Sequence, residues 1–393
     1  MKVTQVADWT NAALKEAIGE TAVLAQDLGN VIDVGRALFD AGDTAVDNFV
    51  RALPDHIGKV IFVDRQYDGI VPSVLRDAWE YGSICEKIRA EIPEAIDNPA
   101  WQLTDGETYN QDKFYQPKVH VKFWNDRVSF MIPISITEDQ VKSAFSGAYQ
   151  LTAFVAMIRT AVSKGMTIRM NALIRSTINN FIGETVYDDY AGADPGAASH
   201  TKAVNLLYLY NNIGNGNNLT VDEAMTSADF LRFAAYTIKK YISRFRDVNK
   251  LFNIGETDKF TPADLQHIVM LNDFESAAAV YLYDGKGQFL VDNIKLPYAE
   301  TINYWQGTGT DYAFDSVSKI NVVTSGSHSV ELGGILAVLF DHDALGVTNL
   351  DRKTKVHRNE VGEFQNTWEK ATAGYWNDFD EQFVVFFIAE ATI

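Results

Sequence analysis

"KVHVKFWNDRVSFMIPISITEDQ", residues 118–140, decides the fold. Val119, Val121 and Phe123 alternate with Lys118, His120 and Lys122, and Asn125-Asp126 supplies turn chemistry. On the return, Val128, Phe130, Ile132, Ile134 and Ile136 alternate with Arg127, Ser129, Met131, Pro133 and Ser135. Period two on both arms predicts a two-stranded ribbon with one apolar face. Pro133 cannot donate to a ladder, which puts the return arm at an edge or near its end. Thr137 followed three residues later by Gln140 is a capping box, and a helix is predicted to start there.

Helical periodicity then runs to Ile182 through Val141, Phe145, Leu151, Phe154, Val155, Ile158, Val162, Ile168, Leu173 and Ile178. Ser146-Gly147 divides it into a short helix and a long one. The long one is expected to span about 35 residues, or roughly 50 Å, far above the usual mean of about 11 residues. No heptad seam with flanking charges is sustained, so it is not a coiled coil.

Outward from this stretch the chain changes character. Residues 1–57 alternate short helical patterns with Gly and Asp breaks, and "KVIFVDR" (59–65) reads as a short strand. Ile84, Ile88 and Ile92 recur every four residues, which suits a helix or one face of a twisted strand. Residues 98–115 are polar and turn-rich, and 184–220 are loop-like. "SADFLRFAAYTIKKYISRF" predicts an amphipathic helix, "LQHIVML" a strand, "DFESAAAVYLY" a helix, and "SKINVVTS" and "GGILAVLFD" buried strands. The terminal "FVVFFIAEATI" is apolar on both faces of a strand. Strands and helices alternate in this half, as in a mixed α/β domain.

The 393 residues are 47% hydrophobic and 22% charged, a globular composition. A net charge of −18 repels phosphate and argues against sequence-specific nucleic-acid binding. The single cysteine, Cys85, excludes an intrachain disulfide framework. No apolar run is long enough to span a membrane, and "MKVTQVADWTNAALKEAIGE" has no signal-peptide core, which places the chain in a reducing cytoplasm.

Chemistry-bearing motifs are absent. No pair of the seven histidines has metal-ligand spacing. Two aspartates flank His342 in "FDHDA", where a strand-end turn with a capping Asp outweighs a metal site. Cys85 reads as a buried thiol. "GNGNN" and "DGKGQ" lack phosphate-loop spacing and read as turns. "YWQGTGTDY" (304–312) is aromatic enough for a sugar or peptide site, or for a loop at a subunit contact. No catalytic residue, metal ligand or cofactor is assigned.

A two-stranded ribbon is at best marginally stable alone, so its apolar face needs a cover. The simplest cover is another copy of the chain, through heterologous contacts of the kind that build rings and lattices. Val119, Val121, Phe123, Trp124, Val128, Phe130, Ile132 and Trp305 are the subunit-interface candidates.

In this order, "HVKFWNDRVSFMIPISITEDQVKSAF", "LPYAETINYWQGTGT", "GGILAVLFDHDALGVTN" and "VGEFQNTWEKATAGYWNDFDEQFVVFFIA" resemble the major capsid proteins of tailed bacteriophages. The resemblance runs from about residue 43 to 393 and is greatest to short-tailed phages of the phi-29 type. It implies an α+β, Hong Kong 97-like capsid fold. In that frame 1–66 is an N-terminal arm, 67–93 a peripheral-domain segment, and 94–136 an extended loop. Residues 137–200 carry the spine helix of the peripheral domain, 201–350 form a mixed α/β axial domain, and 351–393 return to the peripheral sheet. It further implies pentamers and hexamers of an icosahedral or prolate shell enclosing double-stranded DNA, contacted non-specifically. A portal protein and a separate scaffolding protein are implied partners, with assembly in the host cytoplasm and no large maturation cleavage. Two alternatives stay open here: an encapsulin-type compartment around enzyme cargo, and a cytoplasmic α/β enzyme without a recognisable motif.

Overall fold

A computed structural model describes residues 3–20, 22–63, 71–76, 85–90, 118–213, 218–281, 298–306, 313–359 and 361–391, with positions 97, 112, 114 and 116. The expected turns at 284–288 and 214–217, the aromatic stretch at 307–312, and most of the extended loop before residue 118 lie outside the described residues. The chain divides into two compact units, each discontinuous in sequence.

The first unit comprises 1–78, 127–176 and 347–374. Its N-terminal part is helical: α1 (Val3–Ile18), α2 (Val31–Asp40) and α3 (Asp43–Val63). Val6, Ala7, Leu14, Val34, Leu38, Phe49 and Leu53 share one buried core with Val141, Phe145, Leu151, Val155 and Ile158. The N-terminal arm expected over 1–66 consists, where described, of these three helices. The apolar residues recur at helical spacing and bury against their own chain. The strand expected at 59–65 is corrected, since α3 continues through Val63. Gly35 permits the closest approach in this core, because a Cβ there would stand 2.5 Å from that of Phe145.

Strands β1 (Leu75–Arg76), β4 (Arg127–Thr137), β11 (Leu345–Asn359) and β12 (Phe364–Asn377) form a sheet ordered β1-β11-β12-β4. β4 is thus an edge strand, and Pro133 sits opposite Trp368. α4 (Glu138–Ala144) follows directly under the expected capping box. The Thr137 hydroxyl accepts from Gln140 N at 3.3 Å, and the Gln140 side-chain Oε1 accepts from Thr137 N at 3.2 Å. After the Phe145–Gly147 break, α5 (Ala148–Tyr190) runs for 43 residues, longer than expected. At the usual rise that is about 65 Å.

The second unit comprises 79–126, 177–346 and 375–393, so α5 contributes to both units. Its main sheet is ordered β5-β13-β10-β6-β7, from β5 (Ala203–Asn205), β6 (Gln266–Leu271), β7 (Tyr298–Ile302), β10 (Ile335–Asp341) and β13 (Phe383–Phe387). β13 pairs antiparallel to β10 and parallel to β5. The final strand therefore joins the sheet of the 201–350 region, which corrects its expected return to the other sheet; β12 alone pairs with β4. Every residue of β13 is buried, with Phe383 against Phe181 of α5 and Phe386 against Tyr241, and cover on both faces of the strand accounts for its unbroken apolar run. Each fully buried Phe there contributes about 1.5–3 kcal/mol relative to exposure.

Helices α6 (Leu206–Ile213), α7 (Val221–Ala224), α8 (Ala228–Arg244) and α9 (Asn272–Tyr281) also belong to this unit. α8 buries Phe230, Leu231, Ala234, Ile238, Tyr241 and Ile242 along one stripe. Phe181 of α5 stacks on Phe383 with ring centroids 4.0 Å apart. Among the described residues two small ribbons remain, β2 (Cys85–Ala90) with β3 (Val119–Trp124), and β8 (Ile320–Val323) with β9 (Ser329–Leu332).

The predicted 118–136 hairpin is resolved differently from expectation. β3 pairs antiparallel with β2, in the register Cys85↔Trp124 through Ala90↔Val119. β4 pairs with β12 in the other unit. Alternation fixes which side chains share a face but not which strand is the partner, and Asn125-Asp126 joins two sheets.

Candidate functional site

The register of the β2–β3 ribbon sorts its side chains onto two unlike faces. One carries Lys87, Arg89, His120, Lys122 and Trp124. The other carries Glu86, Ile88, Ala90, Val119, Val121 and Phe123.

The first face is tied to the turn at 377–381, between β12 and β13. Lys87 Nζ donates to Asp378 Oδ2 at 2.8 Å and to Glu381 Oε1 at 2.5 Å. Lys122 Nζ reaches Asp378 Oδ1 at 2.9 Å and Asp380 Oδ2 at 2.7 Å. Arg89 lies 3.7 Å from Asp380, Trp124 Nε1 donates to the Asn377 carbonyl at 3.2 Å, and Lys259 pairs with Glu381. Burial works against the Asp378 carboxylate, yet Lys87 and Lys122 overcome it and hold its pKa below the ordinary value. Burial likewise opposes charge on Lys87 and Lys122, and the facing carboxylates outweigh it and raise both. Lys259 goes the other way: burial lowers it, and Lys87 and Arg89 add to that against the pull of Glu381.

Among the described residues the second face has no such cover. Ile88 is 66% exposed, Phe123 62%, Val119 54% and Val121 45%. Four large apolar side chains side by side on an ion-anchored ribbon form a surface suited to burial against another protein. The sequence had marked Val119, Val121 and Phe123. Ile88 was missed as a site residue because its partner strand could not be known. The basic face was missed too, although "CEKIRA", "KVHVKF" and the acidic "NDFDE" carry complementary charges at strand spacing.

The remaining candidates fall elsewhere. Trp124 is half-buried on the anchored face. Val128 is exposed at the start of β4, whereas Phe130 and Ile132 on the same strand face are buried within their own chain. Ile132 packs against α5 at Gly165, where a Cβ would come within 3.1 Å. Trp305 is also buried, with Nε1 donating to the Ile335 carbonyl at 2.9 Å and its own carbonyl accepting from Asn179 Nδ2 at 2.8 Å. Phe130, Ile132 and Trp305 are thus core residues of the subunit, correcting their place among the interface candidates. Periodicity and aromatic content mark what can be buried, not whether the cover comes from the same chain.

The "FDHDA" turn is a polar tie. Asp341 accepts from the Thr261 hydroxyl at 2.6 Å and from Asp343 N at 2.8 Å, and His342 Nδ1 lies 2.7 Å from His267 Nε2. Among the described residues no group of three or more His, Cys, Asp or Glu side chains could hold a metal ion. The expectation for the Cys85 thiol concerns a side chain outside those described. No helix among the described residues is long and apolar enough to cross a membrane.

Mixed helices and sheets with a 43-residue helix make an α+β fold, and its likeness to solved phage capsid chains identifies it as a phage capsid fold. A chain in a structure titled "Structure of head fiber and inner core protein gp22 of native bacteriophage P68" superposes with a TM-score of 0.50 at 9% identity, over 80% of this chain and 83% of that one. A chain from the capsid structure of Staphylococcus phage Andhra gives 0.49 at 8% identity, again over 80% and 83%. The model of the Phi29-like phage major capsid protein family matches residues 10–387, and the chain belongs to that family. No curated protein matches the chain. The protein is therefore a structural subunit that assembles with other copies of itself into the virion capsid, and the compartment-shell and enzyme alternatives are not favoured.

Proposed function

We propose that the exposed face of the β2–β3 ribbon, Ile88, Val119, Val121 and Phe123, is the surface by which one subunit engages the next in the shell. The observation that carries this is the asymmetry of the ribbon: its charged face is satisfied within the chain while its apolar face is left in water. Such contacts are heterologous and close into rings, here pentamers and hexamers of an icosahedral or prolate Hong Kong 97-like shell. Strand β3 belongs to the extended loop over 94–136, its partner β2 precedes that loop, and α5 provides the spine. The shell encloses double-stranded DNA, and a net charge of −18 supports a wall that confines DNA without gripping it. A separate scaffolding protein and a portal protein act with it during assembly in the host cytoplasm.

Phe123→Asp tests the proposal. At 62% exposure the change is expected to leave the free subunit folded, within about 0.5 kcal/mol. In a contact between copies it places a carboxylate in an apolar setting and is expected to abolish shells in sedimentation and electron micrographs. Normal shells from Phe123→Asp would overturn the proposal.

A further inference from the structure

We infer that the turn at 377–381 is an ionic clamp that fixes the pose of the β2–β3 ribbon, making Asp378, Glu381, Lys87 and Lys122 positioning residues for the contact between copies. The inference rests on the proposed role of the apolar face but has its own test.

The ribbon is a separate two-stranded sheet, and such a unit has little stability of its own. Asp378 reaches both strands at once, Lys87 on β2 through one carboxylate oxygen and Lys122 on β3 through the other. Glu381 takes Lys87 and the half-buried Lys259, while Asp380 takes Lys122 and Arg89. Four cations from two strands and a loop thus converge on three carboxylates of one turn. The turn is itself pinned by hydrogen bonds. Asp378 N donates to the Ala344 carbonyl at 2.7 Å, Asp378 Oδ1 accepts from Asp380 N at 3.2 Å, and β13 begins directly after it. An apolar face aimed from a fixed base loses less freedom on docking than one on a loose ribbon.

The pKa directions say when the clamp is closed. Asp378 is held low, so its contribution is present above the ordinary aspartate range and is lost as pH falls through its depressed value. Lys87 and Lys122 are held high, so theirs is present below the ordinary lysine value and is lost only as pH rises through the raised one. Across the neutral range both conditions hold. The clamp is a permanent fixture rather than a pH switch.

Two variants loosen it without removing the apolar face. Asp378→Asn keeps an acceptor for Asp380 N but removes the charge. Lys122→Gln cuts one strand while Lys87 still neutralises Asp378, which protects folding if the first variant is too damaging. Breaking a fully buried pair is severe, but Lys87 and Lys122 are 26% and 38% exposed, which reduces the loss. Assembly followed by light scattering is expected to slow in each variant, because a loosened face must be ordered on docking. In free subunits carrying Cys85→Ser, spin labels at Val121→Cys and Tyr236→Cys report the ribbon against α8. A narrow distance distribution is expected in the parent and a broad one in both clamp variants. An unchanged distribution, or an unchanged assembly rate, in folded Lys122→Gln overturns the clamp. If Phe123→Asp assembles normally, it is the apolar-face proposal that fails, and the distance measurement still judges the clamp.

Discussion

Ile158 and Ile168 lie on the same helix, ten residues apart, and predict opposite responses to the same truncation. Ile158 is fully buried in the core that α5 shares with the N-terminal helices, whereas Ile168 is 65% exposed. Ile158→Ala removes buried methyl and methylene groups and leaves a cavity, at a cost of about 2–5 kcal/mol. Helix propensity works slightly against that loss, since Ala is the better helix former by a few tenths of a kcal/mol. Ile158→Gly adds about 1 kcal/mol more through backbone entropy. Ile168→Ala removes side-chain surface that is already wet and is expected to stay within about 0.5 kcal/mol of the parent. Urea unfolding of the free subunit, followed by far-UV circular dichroism, gives all three. The chain has two units, so the first transition is the one to compare, and coincident probes are needed before a free energy is assigned. Equal stabilities of Ile158→Ala and Ile168→Ala would refute the burial assigned to this face of α5.

Three further changes probe other parts of the chain. Gly35→Ala places a Cβ 2.5 Å from that of Phe145 and is expected to cost about 1–3 kcal/mol in the same urea experiment, where no change would argue against this contact. Thr137→Ala removes the capping-box hydroxyl of α4 and is expected to cost about 1 kcal/mol, with Thr137→Ser restoring most of it. Because the Asp378 pKa is depressed, the stability advantage of the parent over Asp378→Asn is expected to be full at neutral pH and to shrink as pH falls below the ordinary aspartate range. An advantage that grows on acidification contradicts the assignment.

Local chemistry was readable in the sequence wherever one segment specified its own structure. Thr137 and Gln140 marked the start of α4, and Ser146-Gly147 its separation from α5. The unbroken apolar runs at Ile335–Phe340 and Phe383–Phe387 marked strands covered on both faces. What depended on distant residues was not readable. β3 takes β2 as its partner and leaves β4 to β12, a choice that period-two patterning does not encode. Phe130 and Ile132 have the same spacing as Val121 and Phe123 but end in a core, because β4 lies in a larger sheet over α5 while β3 does not. Trp305 looked like a loop aromatic awaiting a partner, yet its indole N–H is satisfied by Ile335 within the subunit. The clamp was written in the charges of β2, β3 and "NDFDE", and became visible only once the fold brought them together.

The most direct measurement concerns Val121, at the centre of the exposed face. In a Cys85→Ser background, which removes the single native thiol, Val121→Cys is reacted with a soluble maleimide before and after assembly. Fast modification in free subunits and strong protection in intact shells is the result expected if a neighbouring copy covers the ribbon. Equal modification in both states would contradict it.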